Sequence, residues 1–179
     1  MGYGGQPHLF SIGPVATLTG KSKHRKNGLE KIQYFVSRLH RELIIIDPYF
    51  YKPAYKQKVD DYLKEIKNVL LLFQNVKRVH VIYNEEKTHS MVRDEFKKLQ
   101  NKYNCKLTDT HTTLIHDRVW MGDRRTARLL GGSFNGIGRS KISFMLPLPS
   151  QDLTDLQFFL QENELIPDDM QLINNINGR

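Results

Sequence analysis

The sequence is poor in cysteine, because Cys105 is the only one among its 179 residues. A single cysteine cannot form a disulfide within the chain, so the fold has to be held by a buried apolar core. A chain of this length buries roughly 70% of the surface of its unfolded state, which is enough for one domain without cross-links. The scarcity of cysteine also predicts a reducing compartment, in which disulfides are rare.

Long apolar runs are missing as well. The longest are residues 43–46 and 69–73, whereas a helix needs about 20 apolar residues to cross a bilayer. The first residues have neither the basic flank nor the apolar stretch of a secretory signal, and Gln6 replaces the Ser or Thr of a myristoylation signal. We therefore expect a soluble, cytoplasmic protein without a membrane partner.

Metal-binding and nucleotide-binding motifs are absent from the sequence. It contains neither His-Glu-x-x-His nor cysteine and histidine at the spacing of zinc ligands. Gly20-Lys21-Ser22 resembles the end of a Walker A loop, but Val15 occupies the position of the first glycine of that loop. We therefore expect no metal and no other cofactor.

Acidic residues are too few to balance the basic ones. There are 19 Asp and Glu against 27 Lys and Arg, which gives a formal net charge of +8. Such an excess predicts a polyanionic partner. Arginine, whose planar group grips phosphate with two parallel hydrogen bonds, dominates a basic cluster in the second half of the chain. We predict that this cluster binds nucleic acid, DNA or RNA, through Arg124, Arg125, Arg128, Arg139 and Lys141. The basic run at residues 21–26 is instead expected to be a solvated loop.

The side chains that carry chemistry are concentrated in two short segments. Residues 116–123 read His-Asp-Arg-Val-Trp-Met-Gly-Asp, and residues 131–135 read Gly-Gly-Ser-Phe-Asn. We predict that both segments lie on adjacent strands. Because side chains alternate along a strand, His116 and Arg118 should project from one face together, and so should Ser133 and Asn135. A pocket with one imidazole, one cation and two neutral hydrogen-bonding groups suits a phosphodiester.

Together the two segments resemble the motif of the phospholipase D superfamily, His-x-Lys-x4-Asp followed by Gly-Ser-x-Asn. The matching residues are His116, Asp123, Gly132, Ser133 and Asn135. Arg118 stands where the family usually has lysine. The resemblance implies a phospholipase D-like α/β sandwich with a mixed sheet flanked by helices. It also implies that Arg118 and Asn135 bind phosphate oxygens, that Ser133 supports them and that Asp123 orients its neighbours.

The family resemblance further implies a mechanism and an oligomeric state. In the family, two copies of the motif form one site. One histidine attacks phosphorus to give a phosphohistidine, and the other protonates the leaving group. This sequence has a single copy, so the resemblance implies a homodimer in which His116 of each copy joins one composite nuclease site. Because Arg118 replaces the lysine, a second interpretation stays open: a catalytically degenerate module that binds nucleic acid or a partner within a larger assembly.

Two further residues have two interpretations each. Trp120 should share the face of His116, where its ring could stack on a base, but buried aromatic packing would explain it as well. We include it among the predicted nucleic-acid contacts. Asp47 follows the apolar residues 43–46, and it either reaches the rim of the pocket or simply ends a strand.

The hydrophobic pattern predicts helices that alternate with strands, followed by a group of strands, which is typical of an α/β domain. Asn27 is expected to cap the first helix, and the polar residues 122–125 are expected to turn a hairpin. The predicted helices are residues 27–39, 55–67, 90–103 and 150–160. The predicted strands are residues 42–50, 78–83, 106–110, 113–121, 127–131 and 141–146. The expected organisation is an irregular arm at 1–26, a phospholipase D-like domain at 27–166 and a polar tail at 167–179.

Overall fold

The computed structural model of the chain describes residues 22–71, 76–139, 143–167 and residue 170. The helices in this part of the chain are α1 (Ser22–Val36), α2 (Val59–Leu71), α3 (Ser90–Lys98), α4 (Gln100–Tyr103) and α5 (Ser150–Glu162), with a 3-10 helix at Glu85–Lys87. The strands are β1 (Glu42–Ile46), β2 (Arg78–Tyr83), β3 (Lys106–His111), β4 (Arg118–Gly122), β5 (Thr126–Leu130) and β6 (Met145–Pro147).

The strands form one mixed sheet in the order β3-β2-β1-β4-β5-β6. β1, β2 and β3 run parallel, whereas β4, β5 and β6 are joined by antiparallel pairings. Every residue of β1 is buried. This burial agrees with its Leu-Ile-Ile-Ile sequence, because parallel strands covered on both faces are almost continuously apolar. The predicted α/β class, with a mixed sheet flanked by helices, is confirmed.

Helices cover both faces of the sheet. On one face, α1, α2 and α3 pack against a buried cluster that includes Ile45. On the other face, α5 packs through Leu153 and Leu160 against a cluster that includes Ile44 and Ile46. The alternation of side chains along β1 therefore separates the two halves of the core. None of the helices in the described residues is long and apolar enough to cross a membrane.

The first helix begins earlier than predicted. Residues 22–26 form the first turn of α1, so the predictions of an irregular arm and a solvated loop are wrong there, and Asn27 lies within the helix. Arg25 gives the physical reason, because it is buried and donates a hydrogen bond of 2.7 Å to Glu65 of α2. The rest of the predicted arm, and nearly all of the predicted tail, lie outside the described residues.

The first strand of the motif is shorter than predicted, and the second ends one residue earlier. β4 begins at Arg118, which lies opposite Leu130, the last residue of β5. Residues 113–117 would extend beyond both neighbouring strands and therefore have no ladder to join. Ser133 and Asn135 lie after the end of β5. Strand alternation consequently does not decide which of the motif side chains project together.

Candidate active site

The candidate site lies where the parallel strands β1, β2 and β3 end, which we call the carboxyl end of the sheet. β4 runs antiparallel to β1 and begins at this end, because Ile46 of β1 lies opposite Val119. Arg118 pairs with Leu130 at the end of β5. Asp47, Arg118 and the Gly-Gly-Ser-Phe-Asn segment therefore meet here. In α/β proteins, ligands bind characteristically at the carboxyl ends of the strands.

Arg118 is held by two contacts. Its Nε donates a hydrogen bond of 3.2 Å to Ser133 Oγ, and its guanidinium carbon lies 5.6 Å from the centre of the Tyr49 ring. Among the described residues, none forms a hydrogen bond with its two terminal nitrogens. The two contacts restrict the plane of the guanidinium group, and the terminal nitrogens are available to grip an oxyanion. The structure thus brings Arg118 and Ser133 together.

Asp47 lies directly behind this pair and is fully buried. Its carboxylate accepts hydrogen bonds from the backbone N–H groups of Phe134, at 2.7 Å, and Tyr49, at 3.0 Å. The Ser133 hydroxyl also stabilises the charged form of this carboxylate. A hydroxyl can donate one hydrogen bond and accept another. Ser133 therefore links the Arg118 cation to a buried acid.

Burial removes the Asp47 carboxylate from water and raises its pKa. The hydrogen bonds from Phe134 and Tyr49, together with the Ser133 hydroxyl and the positive charge of Arg118, oppose this rise in pKa without cancelling it. Of the two interpretations of Asp47, the structure supports the one in which it reaches the site. The signal in the sequence was its position immediately after an apolar parallel strand, at the carboxyl end of the sheet.

Asn135 connects the motif to the loop after β1. Its Nδ2 donates a hydrogen bond of 2.8 Å to the backbone carbonyl of Lys52. The backbone carbonyl of Asn135 accepts a hydrogen bond of 2.8 Å from Arg139 Nε. A carboxamide has two N–H groups, so a second one remains for an anion. The prediction that Asn135 binds phosphate stays a prediction.

A group of charged side chains supports the Gly-Gly-Ser-Phe-Asn segment from the side of α1 and α2. Arg25 Nη1 donates hydrogen bonds to the carbonyls of Phe134, at 2.5 Å, and Ile137, at 2.8 Å. Glu65 accepts hydrogen bonds from both Arg25 and Arg139. Burial opposes the charge of Glu65, but the hydrogen bond and charge of Arg25 and the further contacts outweigh it, so its pKa is lowered. Arg139 thus has a structural role, and its predicted contact with nucleic acid stays a prediction.

His116 lies in the exposed segment that precedes β4, two residues before Arg118. Its side chain is exposed, and it forms no hydrogen bond or ion pair with any residue that the structure describes. An inert histidine held at a strand edge would have such a partner. The accessibility of the ring is what nucleophilic attack on a bound substrate requires.

Asp123 lies far from this site, so its predicted place in the pocket is wrong. It follows β4 at the opposite end of the sheet, where the parallel strands begin, which we call the amino end. Its carboxylate accepts hydrogen bonds from the backbone N–H groups of His40, at 2.9 Å, Arg41, at 2.8 Å, and Glu42, at 3.0 Å. Burial opposes its charge, but these bonds outweigh it and lower the pKa of Asp123. Asp123 therefore fixes the start of β1, about 15 Å from Arg118 along β4.

The predicted cluster of arginines is also divided. Arg124 forms an ion pair with Glu42, and the exposed Arg125 follows it in the same turn, so both lie at the amino end and not beside the site. Arg128 lies on the face covered by α1, with its guanidinium carbon 5.2 Å from the centre of the Phe35 ring. Burial and the nearby charge of Arg38 lower the pKa of Arg128. Lys141 lies outside the described residues.

Trp120 belongs to the core, so the prediction that it stacks on a base is wrong. Only 1% of its surface is exposed. Its ring stacks on Phe134, with the ring centres 6.0 Å apart and the planes inclined by 23°. The motif tryptophan therefore supports the Gly-Gly-Ser-Phe-Asn segment from inside the protein. Within the part of the chain that the structure describes, no three His, Cys, Asp or Glu side chains are grouped as metal ligands would be.

Two solved structures have similar folds at low sequence identity. NucT from Helicobacter pylori has a TM-score of 0.55 and 14% identity, over 85% of this chain and 96% of its own. Nuc from Salmonella typhimurium, a phospholipase D family member, has a TM-score of 0.51 and 14% identity, also over 85% of this chain and 96% of its own. No protein-family profile matches the sequence, and no curated protein matches it. The shared architecture, with the sheet order described above, establishes that this chain has a phospholipase D-like fold.

Proposed function

We propose that the protein cleaves phosphodiester bonds of nucleic acid by metal-independent covalent catalysis, in a composite site made by two copies of the chain. One observation carries this proposal: Arg118 is held by Ser133 and Tyr49, two residues after the exposed ring of His116. The arrangement offers a fixed cation for the phosphate and a nucleophile that a substrate can reach.

In the proposed first step, a ring nitrogen of His116 forms a bond to phosphorus while the bond from phosphorus to the leaving oxygen breaks. The leaving oxygen takes a proton from the protonated His116 of the second copy. That second imidazole then removes a proton from water, and the water oxygen attacks phosphorus. The phosphorus–nitrogen bond breaks, which releases the phosphate product and restores His116. Two displacements thus replace one that is more difficult.

The neighbouring side chains have distinct roles in this proposal. Arg118 binds the non-bridging oxygens on which negative charge develops, and the second N–H of Asn135 donates to the same group. Ser133 positions Arg118, and Asp47 positions the segment that carries Ser133 through its hydrogen bond with the N–H of Phe134. The loss of one such donor typically lowers the rate by about 10²–10³.

The composite site requires self-association. A chain with one motif brings two imidazoles together only across a two-fold axis, where the same patch of both copies meets. Leu114 supports this arrangement, because it is 59% exposed and lies two residues before His116. An exposed apolar side chain suits the centre of such an interface. The net charge of +8 favours nucleic acid as the substrate.

The test is cleavage of labelled DNA and RNA in the presence of EDTA. We expect wild-type protein to cleave, and His116→Ala to lower the rate by at least about 10³-fold. His89→Ala is the matched control, because His89 is also exposed and lies outside the site, and it should retain wild-type cleavage. Persistent cleavage by His116→Ala would show that another group is the nucleophile.

A non-catalytic module that binds nucleic acid or a partner within a larger assembly is the second candidate, and the arginine at position 118 favours it. A guanidinium group is bulkier than the lysine of the family motif and places its charge differently. Its Nε is also engaged by Ser133. Such a module would retain DNA or RNA with strong salt dependence and without any cleavage. Retention without cleavage by the wild-type protein would therefore decide for the second candidate.

A further inference from the structure

We propose that the amino end of the sheet is a second nucleic-acid site, which binds the phosphate backbone about 20 Å from the candidate active site. It consists of Arg41, Lys77, Lys106 and Arg125, which we call the basic row. Arg41 and Asp47 flank the two ends of β1, and a strand rises about 3.3 Å per residue, which gives the separation of the two sites. This inference concerns binding alone and does not depend on the proposed cleavage.

The backbone connects these residues into a row. The N–H of Lys77 donates to the carbonyl of Arg41 at 2.8 Å, and the N–H of Lys106 donates to the carbonyl of Lys77 at 2.9 Å. On the other side, Asp123 accepts a hydrogen bond of 2.8 Å from the N–H of Arg41, which places the turn that carries Arg125 beside it. The four residues thus occupy neighbouring strand ends, at about 4.8 Å per strand, or about 15 Å in all.

The charge of this row is positive and is exposed to solvent. All four side chains are exposed. Two carboxylates at this end are already engaged. Glu42 is 3% exposed and pairs with Arg78 and Arg124, and Asp123 is bound by backbone N–H groups. No carboxylate among the described residues pairs with Arg41, Lys77 or Arg125.

The surroundings of the row favour nucleic acid over a protein or a membrane. Lys77 and Lys106 line a surface depression together with Gln100, Asn104 and Cys105, and the two carboxamides add neutral hydrogen-bond donors. Neither the row nor the lining of this depression includes an exposed large apolar side chain of the described residues; those are Tyr34, Tyr55, Met91, Leu114, Phe144 and Phe158. A protein interface has an apolar centre, and a membrane-surface helix has an apolar face. Contacts with a phosphate backbone need only cations and hydrogen-bond donors.

The test measures binding by fluorescence anisotropy, with labelled single-stranded and duplex DNA of about 30 nucleotides, from about 50 to 300 mM salt. All proteins carry His116→Ala, so that the probe is not cleaved. The row variant combines Arg41→Ala, Lys77→Ala and Arg125→Ala. The control variant combines Lys58→Ala, Lys64→Ala and Lys98→Ala, which removes the same charge from exposed positions elsewhere. Circular dichroism and urea unfolding verify that both variants fold.

We expect the row variant to bind at least about tenfold more weakly than its parent and to lose about 2–3 units from the slope of log affinity against log salt. The control variant should stay within about twofold of the parent. Equal losses in both variants, or an unchanged salt slope in the row variant, would overturn the proposal. Tighter binding of the parent to polyglutamate or to phosphatidylserine vesicles than to DNA would also overturn it. If the wild-type protein does not cleave but the row variant loses binding, the proposed catalysis fails and this inference stands.

Discussion

A single hydroxyl joins a cation and a buried acid at the candidate site. Ser133 accepts a hydrogen bond from Arg118 and stabilises the charged form of Asp47, so the orientation of the guanidinium is coupled to a carboxylate that is fully buried. Asp47 also binds the N–H of Phe134. An amide in place of this acid would face that N–H, or the N–H of Tyr49, with its own NH2 group. The acid therefore fixes both the motif segment and the cation.

We expect Asp47→Asn to lower the free energy of unfolding by about 1–3 kcal/mol, because a buried donor loses its acceptor. Burial raises the pKa of Asp47, so the folded protein holds this proton more tightly than the unfolded chain does. The stability that Asp47 contributes is therefore largest at low pH, and it declines as pH rises from the ordinary pKa of 3.8 through the raised one. Urea unfolding across this range measures the difference between wild type and variant, which should shrink with rising pH. Asp61→Asn, at an exposed position of α2, should leave stability almost unchanged. A pH-independent difference would contradict this account.

The packing of the helices against the motif is fixed at two places. β4 ends at Gly122, where a Cβ atom would lie 2.2 Å from Cδ2 of Leu39. Leu39 is itself buried between the end of α1 and the sheet. At the other end of the motif, α1 and α2 jointly support the loop after β5 through Arg25 and Glu65. The distance between helix and sheet is thus set by a missing side chain on one side and by an ion pair on the other.

Gly122→Ala should lower the free energy of unfolding by about 1–3 kcal/mol, because Leu39 has to leave its rotamer in a packed core. Gly136→Ala is the matched control, since the nearest atom to its added Cβ is a carbonyl oxygen at 3.6 Å. We expect thermal unfolding to distinguish the two. Equal melting temperatures would mean that α1 shifts freely away from the sheet.

Glu65→Gln should destabilise the protein by about 2 kcal/mol at neutral pH, because Arg25 and Arg139 lose the negative charge and one of the two acceptor oxygens that they share. The lowered pKa of Glu65 means that its contribution is present above the ordinary pKa of 4.5 and is lost as pH falls through the lowered one. Hydrogen exchange should be faster for the backbone of residues 133–139. Glu30→Gln on α1, which pairs with Lys26 at the exposed surface, should change neither quantity. If Glu65→Gln leaves hydrogen exchange of residues 133–139 unchanged, the ion pair does not support the loop.

At the scale of the whole molecule, the single copy of the motif has a consequence for activity. A composite site needs two intact copies of His116, so activity should depend on how copies combine. We expect that replacing wild-type protein with His116→Ala at constant total protein concentration, under conditions of subunit exchange, lowers activity with the square of the wild-type fraction. Sedimentation should record a dimer that Leu114→Asp weakens. A linear decrease on mixing would mean that one copy carries a complete site.

The sequence predicts the architecture well and the site only in part, and particular residues explain the difference. The apolar run of β1 and the alternation of helices with strands identify the α/β class, because both are local patterns. The short spacing between His116 and Arg118 also places these two residues near each other. The prediction that Asp123 lies in the pocket is wrong because β4 runs from the carboxyl end of the sheet at Arg118 to its amino end at Gly122. Residues that are close in sequence therefore lie at opposite ends of the sheet. The link from Asp47 to Phe134 joins positions 87 residues apart, and no local pattern reports such a contact.

The burial of Trp120 has an optical consequence. It is the only tryptophan of the chain, and it stacks on the phenylalanine that lies between Ser133 and Asn135. Its Nε1 has no hydrogen-bond partner among the described residues, so its emission depends on the polarity and motion of this one environment. Intrinsic fluorescence therefore monitors the motif loop directly, without a label, when an anion is titrated into the protein.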